Sequence, residues 1–322
     1  MTAQEFASQL NTWGKNQIPF FFLTDFELQQ LQCWQLDELN SNELLFDFNG
    51  FGNALPNPTI ASIKLRASPE AFESYQNKFK KVFNELEYGN SFLTNLTIRT
   101  PIALMGSLQE IFYASKAKYK LCKTDSFVVF SPECFVSIEN GFIFSYPMKG
   151  TIDASIPDAE DRILADAKEL AEHVTIVDLI RNDLSIVSEN VEVLRFRFID
   201  EVKTQNGSLL QVSSEIRGKL AEDHLSRIGD IIVSLLPAGS ISGAPKAKTI
   251  ELIQQAEREP RGYFTGVAGY FDGKNLESAV LIRFIEQTEK GYFYRSGGGI
   301  TTQSNARDEY NEAIAKIYVP IY

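Results

Sequence analysis

The sequence has few of the residues that build metal clusters or disulfide frameworks. Its 322 residues include only two histidines and three cysteines. Cys33, Cys122 and Cys134 lie far apart and form no CxxC pair, whereas a structural zinc site needs four close ligands of these types. The pattern argues against structural zinc. Three scattered thiols are typical of a reducing compartment, so we expect a cytoplasmic protein.

Long hydrophobic runs and an excess of positive charge are also missing. The apolar stretch PFFFL at 19–23 is far too short to span a bilayer, and the N-terminus shows no signal-peptide pattern. The net charge is -11. Because such a field repels phosphate, we expect neither nucleic acid nor an anionic membrane as a partner. An anionic substrate would need local cations.

No low-complexity tract or Pro/Gly/Ser linker divides the chain, so we expect a single domain over 1–322. The pairs Asn140-Gly141 and Asp272-Gly273 stand between alternating apolar residues and predict hairpins, hence antiparallel sheets. Amphipathic helices are predicted at 159–177, 245–257 and about 305–318. The mixture predicts an α+β fold in which antiparallel sheets pack on each other with helices outside.

Two predicted helices have glutamates at the same spacing. Glu169 and Glu172 lie opposite a predicted apolar stripe, and Glu309 and Glu312 repeat the spacing, with Lys316 one turn further on. Solvated helix faces explain this pattern best on sequence alone. The alternative is that the carboxylates converge on a hard cation such as Mg²⁺, which prefers oxygen ligands. The predicted stripe consists of Ile163, Leu164, Ala167, Leu170, Ala171, Val174 and Val177.

Several short segments have both structural and functional interpretations. Gly297–Gly299 follow a predicted strand and suit either an anion-binding nest or a flexible loop. The small-residue segment 235–249 suits either carboxylate binding at a helix start or a tight turn with a good cap. The charged residues of VDLIRNDL (177–184) favour a structural hydrogen-bonded network. Arg283 lies in an apolar predicted strand and needs a carboxylate partner from the protein or a ligand.

The segments SPECF (131–135) and PMKGT (147–151) are joined by the Asn140-Gly141 hairpin, which brings Glu133 close to Lys149. A weak cross-strand salt bridge is one interpretation. An acid beside a nucleophilic amine is the other. A two-residue turn would place Met148 opposite Glu133 and direct Lys149 to the other face. A shared site therefore predicts a three-residue turn or a bulge between 133 and 149.

Together these segments resemble the chorismate-utilising enzymes, from about residue 130 onward and in the family's order. The lysine of PMKGT resembles the signature of aminodeoxychorismate synthase component I, where anthranilate and isochorismate synthases typically have a small residue. The segments are SPECF, PMKGT, KELAEH (168–173), VDLIRNDL, PAGSISGAPK (237–246), RGYFTGVAGY (261–270), GGGI (297–300) and EYNEAIAKI (309–317).

The resemblance implies a four-layer α/β/β/α chorismate-binding fold, with a short variable N-terminal part (about 1–85) and the family core at about 86–322. It implies Mg²⁺ bound by four carboxylates that bridge to a chorismate carboxylate. Relatives often have histidine where this chain has Gln211, and tyrosine or tryptophan at or next to Phe264. The implied metal ligands are Glu169, Glu172, Glu309 and Glu312, and the implied substrate-binding residues are Ser240, Gly243, Phe264, Arg283, Gly297, Gly298, Gly299, Lys316 and Gln211.

The implied activity is amination of chorismate at carbon 4, with Lys149 as the nucleophile and Glu133 as the acid. The product would serve para-aminobenzoate and folate biosynthesis. No cysteine has the glycine-flanked context of a glutaminase nucleophile, so a separate glutamine amidotransferase subunit would supply ammonia. The alternatives are anthranilate synthase component I and a non-catalytic binding protein with the same fold.

Overall fold

Nine α-helices and eighteen β-strands make up the part of the chain that the computed structural model describes, residues 1–55, 63–204 and 207–321. The helices are α1 (Ala3–Lys15), α2 (Phe72–Glu87), α3 (Leu108–Ala114), α4 (Ala159–Ala165), α5 (Ala167–Ser185), α6 (Ile228–Leu235), α7 (Gly239–Ser242), α8 (Lys246–Glu257) and α9 (Ala306–Ala315), with a 3₁₀ turn at His224–Arg227. The strands are β1 (Phe20–Thr24), β2 (Gln32–Gln35), β3 (Leu44–Phe48), β4 (Phe51–Gly52), β5 (Lys64–Ala67), β6 (Leu93–Met105), β7 (Tyr119–Lys123), β8 (Phe127–Ser131), β9 (Cys134–Glu139), β10 (Phe142–Ser145), β11 (Met148–Asp153), β12 (Glu189–Thr204), β13 (Gly207–Lys219), β14 (Gly243–Ala244), β15 (Val267–Phe271), β16 (Leu276–Val280), β17 (Phe284–Thr288) and β18 (Gly291–Ile300).

The chain forms two compact units, each assembled from three segments. Each unit has one nine-stranded antiparallel sheet with helices packed on it, which confirms the predicted fold class. The division into a variable part at 1–85 and a core at 86–322 stays a prediction. Unit 1 comprises Met1–Glu38, Glu133–Ser240 and Val267–Val280, and unit 2 comprises Leu39–Pro132, Ile241–Gly266 and Leu281–Tyr322.

The hairpin of β9 and β10 in unit 1 has a two-residue turn. Asn140 and Gly141 have φ values of 52° and 79°, the left-handed conformations that such a turn requires. Phe142 pairs with Glu139, and the register continues unshifted to Phe144. The predicted hairpin is confirmed, and the three-residue turn is wrong, because Asn and Gly both adopt positive φ at low cost.

A β-bulge does occur, in strand β11, which pairs with β13 instead of extending the β9–β10 ladder. Met148 pairs with Ser213 and Thr151 with Gln211, so Lys149 and Gly150 both stand opposite Val212. Gly150 has φ 80°. The bulge thus begins at Lys149, at the end of the interval 133–149 in which it was predicted, and it lies in the β11–β13 ladder and not in the β9–β10 hairpin. Bulges redirect a side chain and interrupt a ladder, and this one does so at Lys149.

The helix predicted at 159–177 is two helices, because Asp166 leaves the helical conformation between α4 and α5. Its side chain accepts a hydrogen bond from the Glu169 amide at 3.0 Å and caps α5. Because of this break, the side chains of α5 face other directions than a continuous helix would give them. Leu170 and Val174 are consequently 38% and 48% exposed, and Ala171 is also exposed, whereas Glu169 and Glu172 are half-buried. Ala167, at the start of α5, is exposed as well, so the predicted apolar stripe is wrong for these four residues.

Unit 2 has its helices packed over one face of its sheet. Leu96, Ile98 and Ile300 form a buried cluster with α2, α8 and α9. The helices predicted at 245–257 and about 305–318 are confirmed as α8 and α9, and α9 ends earlier, at Ala315. Tyr310 and Ala313 face this cluster as predicted.

A buried ion pair fixes strand β6 of unit 2. Arg261 donates to both carboxylate oxygens of Glu257, at 2.9 and 2.7 Å, and also to the Asn95 carbonyl at 2.9 Å. Glu257 in turn accepts the Thr97 amide at 2.8 Å. A buried ion pair is tolerated only when further hydrogen bonds satisfy it, and here they anchor the strand that pairs with the Gly297 segment.

One segment, His224–Ser242, is long and apolar enough to cross a membrane by length and composition alone. It consists of the 3₁₀ turn, α6 and α7, with Pro237 between the two helices. Of its most apolar 18-residue window, 61% is buried inside the structure. Core helices pass the same test, and this burial is what a core segment shows.

Candidate active site

The bulge of β11 places Lys149 beside the first turn of α5 in unit 1. A Cβ atom on Gly150 would lie 2.7 Å from Glu169 Oε2 and 3.5 Å from Ile163 Cδ1. The Glu169 carboxylate therefore contacts the backbone next to Lys149. Lys149 is half-buried, and within the described part of the chain its ammonium forms no salt bridge. The predicted cross-strand salt bridge to Glu133 is therefore not observed.

His173, one residue after Glu172, is fully buried. Its Nε2 lies 2.6 Å from Ser214 Oγ, which also accepts the Arg197 amide at 3.0 Å. The hydroxyl proton of Ser214 is therefore available to an unprotonated Nε2. Burial, with Arg197 and Lys149 adding positive charge nearby, lowers the pKa of His173 to about 4. The Arg197 guanidinium also caps α4 through the Ile163 and Leu164 carbonyls.

Glu133 lies immediately before β9 and accepts a hydrogen bond from the Ser240 hydroxyl, which is in α7. Both residues line a cavity of about 20 Å³, enough for about one water molecule. The buried carboxylate of Asp183 lines the same cavity, and Gly239 makes room for it, because a Cβ there would lie 2.6 Å from Asp183 Oδ2. Glu133 is thus hydrogen-bonded and half-buried.

The charged residues of VDLIRNDL separate into two groups. Asp178, Arg181 and Asn182 are exposed, and Arg181 and Asn182 each donate to Asp178 at 3.4 Å. The predicted hydrogen bonds are therefore present among these three, but on the outer face of α5 and not in a buried network. Asp183 alone is buried.

In unit 2, strand β18 and helix α9 bring together the second glutamate pair. Glu309 is 7% exposed and accepts the Ser304 hydroxyl at 2.8 Å, so the solvated-face interpretation is wrong for it. Glu312 pairs with Lys316 at 2.6 Å, which is the predicted i,i+4 pair. A Cβ on Gly298 would lie 3.5 Å from Glu309 Oε2 and 3.6 Å from Glu312 Oε1.

Gly297–Gly299 belong to a regular strand, since they pair with Thr97, Leu96 and Asn95 of β6. The loop interpretation is therefore wrong, whereas anion binding by the glycine amides stays a prediction. On the other side, pairing with β17 ends at Arg295 in the described residues. The Lys316 ammonium donates to the Gly297 carbonyl at 2.8 Å. At the level of the glycines this edge of β18 has no strand partner among the described residues.

Three other predicted substrate-binding residues of unit 2 have distinct surroundings. Arg283 lies between β16 and β17 at φ 56°, outside any strand, with its guanidinium 5.7 Å from the Tyr318 ring centre. Its predicted place in an apolar strand is wrong, because the chain leaves one sheet at Val280 and enters the other at Phe284. Phe264 is buried against Phe284. Gly243 permits contact between β14 and β6.

Gln211 lies in β13 of unit 1, directly opposite Thr151 and one pair beyond the bulge. It is half-buried. A ligand near the bulge would be within reach of its amide, which can donate and accept hydrogen bonds. Its role in substrate binding stays a prediction.

Each unit thus has one pair of glutamates on one helix. Oxygen donors of this kind suit Mg²⁺. A Cβ on Gly150 would collide with the Glu169 carboxylate, whereas one on Gly298 would be in ordinary contact with Glu309 and Glu312. Within the described residues of either unit, no group of three or more Asp, Glu, His or Cys side chains comes together as a metal site. A metal held by one unit alone would have at most two carboxylate ligands.

Residues 24–321 match the chorismate binding enzyme family, and the chain belongs to this family of chorismate-utilising enzymes. A protein of Haemophilus influenzae named Uncharacterized PabA-like protein is 52% identical over 99% of this chain and 98% of its own length. Aminodeoxychorismate synthase component 1 of Bacillus subtilis is 31% identical over 78% of this chain. The match spans 56% of that relative's length.

Solved structures confirm the chorismate-binding fold. Anthranilate synthase component I from Streptococcus pneumoniae aligns with a TM-score of 0.68 and 25% identity, over 82% of this chain and 62% of that one. The menaquinone-specific isochorismate synthase from Escherichia coli aligns with a TM-score of 0.72 and 15% identity, over 98% and 80%. The second likeness shows the fold alone.

Sequence reasoning missed the residues that position the predicted ones. Asp166 caps α5, and the hydroxyl of Ser214 holds His173. An Asp three residues before Glu169 was a readable N-cap signal. Nothing in the one-dimensional pattern pairs Ser214 with His173, because the contact joins a helix to a strand 41 residues away.

The buried, neutral His173 makes stability depend on pH. Its folded pKa of about 4 is below the ordinary histidine pKa of about 6.5. The unfolded chain therefore binds an extra proton between these values, and the free energy of unfolding should fall as pH drops through that window. The limiting slope is about 1.4 kcal/mol per pH unit.

Urea unfolding across this pH range measures the slope. His173→Gln keeps a donor near Ser214 and should flatten the dependence, whereas His224→Gln, which replaces the other histidine, should keep the wild-type slope. Equal slopes for wild type and His173→Gln would show that His173 does not resist protonation.

Proposed function

We propose that this protein is an aminodeoxychorismate synthase component I, which replaces the carbon-4 hydroxyl of chorismate with an amino group from ammonia. Family membership supports a chorismate-utilising enzyme, and relatives include both aminodeoxychorismate and anthranilate synthases. Lys149 on the β11 bulge is the observation that favours the first. Its half-buried amine has no salt-bridge partner among the described residues and lies beside the Glu169 helix.

The proposed chemistry splits a difficult substitution into two steps. The amine of Lys149 attacks carbon 2 of the ring, and the carbon-4 hydroxyl leaves as water with a proton from Glu133. Ammonia then attacks carbon 4, and the Lys149 nitrogen leaves carbon 2. The Ser240 hydroxyl, which donates to Glu133, orients this acid.

Mg²⁺ is the proposed cofactor, with Glu169, Glu172, Glu309 and Glu312 as its candidate ligands. When bound, a dication neutralises a substrate carboxylate and relieves the mutual repulsion of the glutamates. Lys316, Arg283 and the β18 edge at Gly297–Gly299 are proposed to bind the remaining negative charge of chorismate. These local cations would overcome the acidic net charge of the chain.

Removal of the Lys149 amine tests the covalent route. Lys149→Ala should slow ammonium-dependent amination about a hundredfold or more, as expected when a positioned nucleophile is lost. Lys149→Arg keeps the positive charge but has no nucleophilic amine at neutral pH, so it should be equally slow. A Lys149→Arg enzyme with wild-type turnover would assign Lys149 an electrostatic role and contradict the covalent route.

A separate glutamine amidotransferase subunit is the proposed source of ammonia. A glutaminase needs a cysteine with a lowered pKa. Here burial raises the pKa of Cys33 to about 11 and that of Cys122 to about 12, and Cys134 is 5% exposed. The purified chain should consume chorismate with ammonium salts and not with glutamine. Glutamine-dependent turnover by the chain alone would contradict this proposal.

A further inference from the structure

Two glycines of unit 1 have nearly the same φ angle and different surroundings. Gly141, in the β9–β10 turn, has φ 79°, and Gly150, in the β11 bulge, has φ 80°. A Cβ at Gly141 would have no atom within 4 Å. A Cβ at Gly150 would lie 2.7 Å from Glu169 Oε2 and 3.3 Å from its carboxyl carbon. Backbone conformation explains glycine at both positions, and the close approach concerns only Gly150.

We propose that Gly150 is a positioning residue for the Glu169 carboxylate, and that its missing side chain sets the Mg²⁺ affinity of the site. The inference rests on the proposed function, in which Glu169 is a metal ligand. It adds a role for the residue next to Lys149: the bulge that displaces the amine also provides the space for the carboxylate.

The backbone of Glu169 is fixed, whereas its carboxylate can move. Its amide is held by Asp166 at 3.0 Å in the first turn of α5, so its backbone cannot shift freely. Its carboxylate is the far end of a flexible side chain and can rotate away from a new methyl group. An alanine at 150 should therefore be accommodated by displacement of the carboxylate, with little effect on packing.

Displacing a carboxylate matters for Mg²⁺ because this ion requires near-ideal octahedral geometry at short ligand distances. Changes to residues that orient metal ligands typically cost 10–100-fold in affinity. Gly150→Ala should consequently weaken Mg²⁺ binding about tenfold or more. Its melting temperature should fall only as much as that of Gly141→Ala, since both alanines adopt the same unfavourable φ.

Isothermal calorimetry of Mg²⁺ binding in the presence of chorismate, with thermal melts, compares the two variants. The expected result is weaker Mg²⁺ binding in Gly150→Ala and wild-type binding in Gly141→Ala, at similar losses of melting temperature. Wild-type Mg²⁺ affinity in Gly150→Ala would overturn the inference. If the wild-type chain bound no Mg²⁺, the metal assignment of the proposed function would fail first, and the inference with it.

A double variant separates steric displacement from a general disturbance of the bulge. In a Glu169→Ala background the carboxylate is absent, so Gly150→Ala should reduce Mg²⁺ affinity no further. Residues that act through contact show such non-additivity. Additive losses would show that alanine at 150 acts on the site independently of Glu169, which contradicts the proposed role.

Discussion

One extra residue in strand β11 determines where Lys149 and Glu169, two candidate site residues of unit 1, lie. Because Lys149 and Gly150 together face Val212, the ladder with β13 is interrupted where the amine emerges. Gly150 adopts a left-handed conformation there and allows Glu169 to approach the strand. In a regular ladder, the Lys149 side chain would follow the alternation of side chains between the two faces of the sheet. The bulge thus places the candidate nucleophile, Lys149, next to the glycine that contacts the candidate metal ligand, Glu169.

The first two turns of helix α5 reverse the usual pattern of a surface helix, in which apolar residues are buried and charged residues are exposed. Glu169 and Glu172 are half-buried, while Leu170 and Val174 are exposed to solvent. Burial of carboxylates costs free energy unless they are paired or bind a metal, so this arrangement suits a candidate site better than a solvated helix face. Glu309 repeats the pattern in unit 2, where it is buried against Ser304. Such conflicts between local preference and position are expected at functional sites.

Strong local signals made much of the fold predictable. The Asn140-Gly141 turn and helix α8 follow from short-range chemistry, and the structure has both. The failures have two kinds of cause. Asp166, a local N-cap signal, reset the phase of a continuous apolar pattern, whereas β6 kept Gly297–Gly299 extended through a non-local strand pairing. Arg283 was predicted inside a strand because β16 and β17, which belong to different sheets, form one continuous apolar pattern in the sequence. The motif resemblance indicated the candidate site residues. The residues that hold them in position, such as Asp166 and Ser214, were found only in the structure.

The identity of the product formed from chorismate, ammonium and Mg²⁺ distinguishes the possible activities of this family most directly. Mass spectrometry and NMR of the reaction mixture should show 4-amino-4-deoxychorismate, in which nitrogen replaces the carbon-4 hydroxyl and the enolpyruvyl group remains. Anthranilate with released pyruvate, or an isomer of chorismate without nitrogen, would contradict the assignment of Lys149 as the nucleophile of an amination.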